Sequence, residues 1–149
     1  MYGWRQRYVS EQHSTVSRMD EIQAALLGIK LRYLDDWNAA RQRLARRYRA
    51  QLADSVVAPS EDGVFHLFVI QSERRDELKA HLAQRGVSTD IHYPVPVHLQ
   101  APYAAYGHGA GSLPHTERLA TEVLSLPIYP ELDEGRVDYV AQVIRNYGA

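Results

Sequence analysis

The sequence has 149 residues and a formal net charge of -1, with 17 lysines and arginines against 18 acidic residues. This balance argues against a surface that is tuned as a whole to nucleic acid or to an anionic membrane, and the absence of cysteine excludes disulfides, thiolate metal sites and cysteine nucleophiles. Because the sequence also has no apolar run of the roughly 20 residues that a membrane span needs and no signal-peptide pattern at its start, we expect a soluble cytoplasmic protein.

The first predicted elements are an extended arm and a long helix. Residues 1–17 are polar and aromatic without a clean period, which is typical of an arm. From residue 18 to about residue 53, apolar side chains recur every three or four positions, and Ser17 matches an N-cap. We therefore predict one long helix at the start of a single domain spanning 18–149. Such a helix needs a partner, which is another helix, a second subunit or a missing domain, and its apolar stripe predicts self-association in isolation.

The middle of the chain predicts a strand, a helix and a second strand. Residues 64–70 are rich in β-branched and aromatic side chains and do not alternate cleanly, which predicts a strand that is buried on both faces. Residues 74–85 have the spacing of an amphipathic helix, and Gly86 ends it. The second strand is predicted at 87–92.

The remaining residues predict a long loop and two further helices. The loop spans 93–115, and long loops within compact domains are usually functional or mobile. A helix is predicted from about residue 115 to 125, and prolines then keep an extended stretch at 126–130 out of a central β-ladder. The last helix is predicted over 133–147. Together these elements predict an α/β domain with a short β-sheet packed by helices and one long N-terminal helix.

Two histidines and a tyrosine lie where the second predicted strand enters the proline-stiffened loop. They are His92, Tyr93 and His98. Ligand groups gather at strand ends in α/β folds, and an imidazole can donate to phosphate or sugar oxygens or move a proton near neutral pH. The alternative is that His92 and Tyr93 close the core while His98 is solvated. No acid lies in the loop as a third ligand, so no metal site is expected.

Three other polar patterns have alternative interpretations. Ser17 and Arg18 form a potential anion site, because free N–H groups of the helix start meet an arginine there; the alternative is ordinary capping with Arg18 in solvent. Five arginines between residues 41 and 49 favour a solvated, partly paired helix surface over a nucleic-acid site, since they spread around the helix. Residues 107–111 are glycine-rich, but no predicted strand precedes them, which favours a flexible loop over a phosphate cradle.

An ordered series of segments points to a family. It includes Ser-Arg-Met-Asp-Glu-Ile-Gln-Ala-Ala-Leu-Leu at 17–27, Ile-His-Tyr-Pro-Val-Pro-Val-His at 91–98 and Leu-Ser-Leu-Pro-Ile-Tyr-Pro at 124–130. The series resembles the DegT/DnrJ/EryC1/StrS family of pyridoxal-phosphate-dependent sugar aminotransferases, which have the type I aminotransferase fold. The resemblance covers nearly the whole chain. With Arg-Tyr-Val-Ser-Glu at 7–11, it is most similar to the branch that makes 3-amino-3,6-dideoxy sugars on dTDP.

The resemblance implies that the chain is the small C-terminal domain of such an enzyme, and that the N-terminal large domain is missing. In the family, that large domain holds the Schiff-base lysine, the acid that pairs with the pyridine nitrogen and the aromatic residue stacked on the ring. Lys30 and Lys79 lie on predicted helices outside any such context. Neither is therefore expected to bind pyridoxal phosphate covalently.

The resemblance also implies a cofactor contact across a dimer interface. The family pattern Gly-x-Asn-Ser-Arg reaches the cofactor phosphate of the neighbouring subunit, and its Ser-Arg pair corresponds to Ser17 and Arg18. Val16 stands at the asparagine position and has no side-chain donor. The phosphate contact then depends on a neighbouring hydroxyl or a backbone N–H. A homodimer is expected.

By the same resemblance, His92, Tyr93 and His98 border the nucleotide-sugar pocket. The implied reaction transfers an amino group from glutamate to a keto sugar of a nucleoside diphosphate, here a dTDP-3-keto-6-deoxyhexose. Alternatives are a sugar dehydratase of the same fold, which has a histidine in place of the lysine, and a non-catalytic dimerisation or regulatory module. No nucleic-acid or membrane partner is expected.

Overall fold

The computed structural model describes residues 4–6, 9–10, 19–53, 55–60 and 62–147. The chain divides into two compact units, Met1–Asp35 and Asp36–Ala149. In the first unit, β1, Trp4–Gln6, pairs antiparallel with β2, Val9–Ser10. Part of the predicted arm therefore forms a short ladder. The helix α1 spans Glu21–Lys30, and none of its residues is buried.

The single helix predicted from residue 18 to 53 is wrong in its start and in its continuity. Asp20, not Ser17, is the N-cap residue, and it has the extended conformation typical of that position. After α1, a 3-10 turn at Leu31–Tyr33 precedes α2, which spans Leu34–Leu52. Aspartate is as favourable an N-cap residue as serine, so the apolar spacing does not by itself fix the residue at which the helix begins.

The second unit is built around an antiparallel pair of strands. β3, Phe68–Gln71, pairs with β4, Val123–Leu126. Single bridges extend this ladder on both sides, because Val57 pairs with the last residue of β3 and Asp90 pairs with Ser125 in β4. The outcome is a small sheet whose outer positions belong to loop segments. An α/β unit with a short sheet and packed helices is confirmed.

The second strand predicted at 87–92 is wrong. All of these residues are described, and within them Asp90 makes one bridge to the sheet and no strand forms. The partner of β3 is β4 instead, although spacing assigns most of it to the helix predicted at 115–125. That helix, α4, spans Pro114–Glu122 and ends where Val123 adopts an extended conformation. All four β4 residues are buried, so pairing and burial override the helical spacing.

β3 packs one face on the core, so the predicted burial of both faces is wrong. Phe68 and Ile70 are buried, and the alternate residues are half-buried. This is the usual pattern of an antiparallel sheet. Tyr48 of α2 stacks on Phe68 with ring centroids 4.9 Å apart, and its hydroxyl donates to the Pro127 carbonyl oxygen at 3.1 Å. Burial raises the pKa of the Tyr48 phenol.

Two predicted helices are confirmed close to their expected ends. α3 spans Arg75–Gln84, and Gly86 follows it with a φ of +75°, as expected of a residue that ends a helix. α5 spans Glu134–Tyr147. Buried residues of α2, α3, α5 and both strands share one core. Among the helices of the described ranges, none is long and apolar enough to cross a bilayer.

The long loop between Asp90 and α4 contains two 3-10 turns, Val97–Leu99 and Ala101–Tyr106. Gly107 and Gly111 adopt left-handed φ values of +79° and +85°. These are conformations that glycine adopts without strain. The loop begins directly after Asp90, which bridges to Ser125 of β4. The first residues of the loop therefore lie beside the sheet.

Candidate functional site

His92 is held against the sheet through one ring nitrogen. Its Nδ1 lies 2.9 Å from the Oγ atom of Ser125, a buried residue of β4. Asp90, two residues earlier, is fixed to the same serine by two backbone hydrogen bonds. The other ring nitrogen, Nε2, lies 3.8 Å from Asp90 Oδ2, and a quarter of the His92 side chain is exposed. The ring is thus anchored on one side and accessible on the other.

His92 lines a small cleft beside the sheet, with a volume of about 190 Å³. The other lining residues come from the β4 region, the Asp90 segment and the turn before β3: Leu67, Ser88, Thr89, Asp90, Ser125, Leu126, Pro127 and Ile128. Three of them, Asp90, Ser125 and Leu126, belong to the sheet or its bridges. The cleft therefore lies against the sheet and has one imidazole at its side.

Tyr93 does not close the core. It is 71% exposed, and its ring stands edge-on to the ring of His92, with centroids 5.4 Å apart and planes at 83°. The alternative in which both residues are core-filling is therefore wrong for Tyr93. Its phenol hydroxyl is available to a polar ligand group, beside a histidine that is held in place.

His98 is not solvated, in contrast to the alternative considered from the sequence. Its side chain is only 8% exposed, and its Nε2 lies 3.1 Å from Oε1 of Glu117 on α4. The same carboxylate accepts hydrogen bonds from the backbone N–H groups of Gly111 at 2.9 Å and Leu113 at 3.2 Å. Hydrogen bonds from the Gly111 amide, then from the Leu113 amide and from the His98 ring, lower the pKa of Glu117.

Glu117 is a site residue that sequence reasoning missed. The acid that the loop lacks is supplied by the following helix, and its side chain reaches back to the residue before that helix. This reach is typical of an acid in the first turn of a helix, so a search for capping patterns around Pro114 would have found it. In the described part of the chain, no three acids or histidines cluster as a metal site.

His98 lines a second and larger cleft of about 420 Å³. Its lining is mainly aromatic and apolar: Val97, Tyr103, Tyr106, His108, Leu113 and Thr116. This cleft shares no lining residue with the cleft at His92. The structure thus brings His92 and Tyr93 together and places His98 on a neighbouring but separate surface.

Arg41 on α2 is a second residue that sequence reasoning missed. Its guanidinium donates to three carbonyl oxygens, those of Phe65 at 3.2 Å, His66 at 3.3 Å and Ile128 at 3.0 Å. Ile128 lines the cleft at His92. Arg41 therefore joins the turn before β3 to the segment after β4, on the wall of the candidate site.

Three other arginines of α2 also have partners. Arg47 donates to both carboxylate oxygens of Asp138 and to Glu134. Arg43 pairs with Glu134 at 3.3 Å, and Arg49 donates to the Pro59 carbonyl. These contacts agree with the predicted interpretation of a partly paired helix surface.

A cleft of about 840 Å³, larger than the clefts at His92 and His98, lies elsewhere on the second unit, between the end of α2, β3 and α5. Arg49 and Arg74 both line it. The Arg74 guanidinium lies 5.0 Å from the centroid of the Tyr147 ring and donates to Glu77 at 3.1 Å. Of the predicted site residues that the structure describes, His92, Tyr93 and His98, none lines this cleft. We therefore place the candidate site at His92, where a predicted residue, a cleft and an exposed phenol coincide.

Ser17 and Arg18, the residues expected to contact pyridoxal phosphate, lie outside the described residues, as does Val16. Lys30 is on α1 and Lys79 on α3, and neither lines the cleft at His92 or the cleft at His98. The described residues therefore do not fit covalent attachment of this cofactor, which needs a lysine facing the reaction site.

Comparison with known proteins assigns the chain to a family. The model of the DegT/DnrJ/EryC1/StrS aminotransferase family matches residues 1–145. The erythromycin biosynthesis sensory transduction protein EryC1 of Saccharopolyspora erythraea is 48% identical over 97% of the chain and 41% of its own length. The dTDP-3-amino-3,4,6-trideoxy-alpha-D-glucose transaminase of Streptomyces venezuelae is 47% identical over 98% of the chain and 40% of its length.

A solved structure agrees with these sequence matches. The crystal structure of S. venezuelae DesV in complex with a ketimine intermediate superposes with a TM-score of 0.87 at 46% identity, covering 98% of the chain and 41% of DesV. The chain spans about two-fifths of the length of each of these proteins. The predicted family resemblance is confirmed.

Proposed function

Because the chain belongs to the DegT/DnrJ/EryC1/StrS aminotransferase family, we propose that it is part of an enzyme that transfers an amino group from glutamate to a keto sugar of a nucleoside diphosphate. The observation that carries the proposal is the 47% identity to a dTDP-amino-sugar transaminase over 98% of the chain. The proposed substrate is a dTDP-3-keto-6-deoxyhexose. Pyridoxal phosphate is the cofactor of the family, and when bound it supplies the temporary amino-group carrier.

We propose that the chain is the C-terminal part of that enzyme, and that a preceding large domain supplies the reactive lysine. The support is chemical: Lys30 and Lys79 are the two lysines of the chain, and both are on helices away from the His92 cleft. The complete coding sequence tests this placement. A large domain that carries the lysine is expected before this chain, and a coding sequence that places the large domain after it would contradict the C-terminal placement.

The proposed role of His92 and Tyr93 is to bind the nucleotide sugar. Both can donate hydrogen bonds to sugar or phosphate oxygens, and the anchored His92 ring has lost most of its rotational freedom before the ligand arrives. His98 is proposed as a pocket residue on the separate aromatic cleft, where Glu117 holds it. These contacts orient the sugar, and the amino-group chemistry belongs to residues outside the chain.

Two further contacts are proposed at a dimer interface. Ser17 and Arg18 bind the cofactor phosphate of a neighbouring subunit, without help from Val16. The exposed apolar residues of α1, including Ile22 and Leu26, contact the second copy. A cytoplasmic homodimer is therefore part of the proposal.

Amino transfer in the complete protein is the direct test. With a dTDP-keto sugar and glutamate, we expect an amino sugar to form, and we expect His92→Ala to lower kcat/KM for the nucleotide sugar roughly tenfold through loss of one hydrogen bond to a charged or polar oxygen. His115→Ala is the matched control, because His115 is exposed on α4 and lines neither cleft. Equal effects of the two substitutions would contradict the proposed role of His92.

The purified chain by itself gives a second readout. It is expected to show no absorbance band of lysine-bound pyridoxal phosphate, since neither Lys30 nor Lys79 lies in a suitable site. A band that either lysine substitution abolishes would overturn this part of the proposal. In the complete protein the band is expected to depend on a lysine of the large domain.

A regulatory role is the second candidate, because two relatives have regulatory names: the EryC1 protein and a pleiotropic regulatory protein of Geobacillus stearothermophilus that is 40% identical. A complete protein without the lysine and without amino transfer would favour this role. A sugar dehydratase is distinguished by turnover that needs no glutamate.

A further inference from the structure

Ser125 occupies an unusual position for a serine, at the centre of the small sheet and directly behind the candidate site. It is 5% exposed, in the middle of β4. Its backbone N–H donates to the Asp90 carbonyl at 2.7 Å, and its carbonyl accepts from the Asp90 N–H at 3.3 Å. These two bonds fix the position of the serine relative to the segment that contains His92.

We propose that Ser125 is a positioning residue that decides which nitrogen of His92 carries the proton. This inference rests on the proposed contact between His92 and the nucleotide sugar. A buried hydroxyl donates its proton to an acceptor whenever one is within reach. Among the residues that the structure describes, the acceptor at hydrogen-bond distance from Ser125 Oγ is His92 Nδ1, at 2.9 Å.

The direction of this bond determines the tautomer. In a neutral imidazole, one nitrogen is a donor and the other is an acceptor. If Ser125 Oγ donates to Nδ1, the ring proton is on Nε2. That nitrogen is on the accessible side of the ring, 3.8 Å from Asp90 Oδ2, which is too far for a direct hydrogen bond. His92 thus presents an N–H donor to the cleft, and the ligand group that it binds is an acceptor oxygen of the sugar or the phosphate.

Serine, histidine and aspartate also form the catalytic triads of hydrolases, but the geometry of Ser125, His92 and Asp90 excludes a catalytic triad. A nucleophilic serine must be accessible to substrate, whereas Ser125 is buried. In a triad the carboxylate orients the histidine, whereas here the serine does so and Asp90 has no hydrogen bond to the ring at 3.8 Å. Ser125 acts on the ligand only through His92.

The tautomer is measured directly by long-range proton–nitrogen NMR of the complete protein labelled with 15N-histidine. The His92 signals are assigned by their absence in His92→Gln. We expect the wild-type ring to be protonated on Nε2 and to become a mixture of both tautomers in Ser125→Ala. Ser88→Ala is the matched control, because Ser88 lines the same cleft and its exposed side chain is not at hydrogen-bond distance from His92. A wild-type ring protonated on Nδ1 would overturn the proposal even if Ser125→Ala does not fold.

Kinetics then separate positioning from substrate contact. In Ser125→Ala we expect the KM for the nucleotide sugar to rise in inverse proportion to the fraction of His92 rings that keep the proton on Nε2, about twofold for an even mixture, while the KM for glutamate is unchanged. Ser125→Thr retains the hydroxyl and is expected to keep both the tautomer and the KM of the wild type. A changed tautomer with an unchanged KM would support Ser125 as the positioning residue and contradict the proposed sugar contact of His92. An unchanged tautomer in Ser125→Ala would overturn the positioning role.

Discussion

The carboxylate of Glu117 holds the His98 ring at 3.1 Å across a sequence separation of 19 residues. The same carboxylate accepts the backbone N–H groups of Gly111 and Leu113. One side chain therefore joins the first turn of the long loop, its glycine-rich part and the start of α4. Since His98 and Leu113 both line the aromatic cleft, the shape of that cleft depends on Glu117.

Removal of Glu117 is expected to loosen the loop without unfolding the core. Glu117→Ala leaves the Gly111 and Leu113 amides without their acceptor, so both are expected to exchange hydrogen faster at neutral pH. Glu117→Gln is expected to have a smaller effect, because its amide oxygen still accepts. Native-state hydrogen exchange at fixed pH measures this, with Glu131→Gln as the control since Glu131 is exposed in the turn before α5. Unchanged exchange in Glu117→Ala would contradict the predicted tether.

The ion pair between Arg47 and Asp138 is expected to make the stability of the protein acid-sensitive. Hydrogen bonds from Arg47 and then from Gln51 lower the pKa of Asp138 from 3.8 to about 2. A carboxylate with a lowered pKa stabilises the fold fully above its ordinary pKa, and this contribution is lost as the pH falls through the lowered value. Urea unfolding should therefore show a steeper loss of stability between these two pH values in the wild type than in Asp138→Asn.

The control for the acid-sensitivity experiment is Asp62→Asn. Asp62 is exposed in the segment before β3, so its substitution should leave the pH profile of unfolding unchanged. Identical profiles for the wild type and Asp138→Asn would show that this ion pair has no role in acid stability.

Arg41→Ala is expected to destabilise the second unit. The substitution removes one guanidinium that donates to three carbonyls, and the cost of leaving partly buried acceptors without partners is about 1–3 kcal/mol. Arg41→Lys should recover only part of the lost stability, because an ammonium lacks the planar fork of a guanidinium. Equilibrium urea unfolding measures the free energy of unfolding of each variant. Arg46→Ala, at an exposed position of the same helix, should change this free energy by less than about 0.5 kcal/mol.

The apolar residues of α1 are expected to mediate self-association. Ile22 is 77% exposed and Leu26 is 56% exposed, and such residues on one face of a helix favour burial against a partner. Ile22→Glu with Leu26→Glu should lower the apparent mass in sedimentation velocity. Gln23→Glu adds a charge at a polar position of the same helix and should leave the apparent mass unchanged. Association that survives the double substitution would contradict a second copy as the partner of α1.

Local patterns predicted the helices best. Periodic apolar residues followed by Gly86 predicted α3, and the spacing of Val137, Val140 and Ile144 predicted α5. Such signals depend on near neighbours in the chain, so they are present in the sequence itself. The strand β4 was missed because its four residues continue the helical spacing of α4. Its conformation depends on β3, more than fifty residues earlier in the chain.

The sequence by itself determined the family and the α/β type of fold, and it directed the search for a site to the segment around His92, because ordered motifs and apolar periods can be compared residue by residue. Only the tertiary structure decided how that segment is used: Ser125 behind His92, Glu117 against His98 and Arg41 across two loops. Each of these contacts joins residues 19 to 87 positions apart. Hydrogen bonds act over about 3 Å in space, and folding alone brings such distant residues within that range.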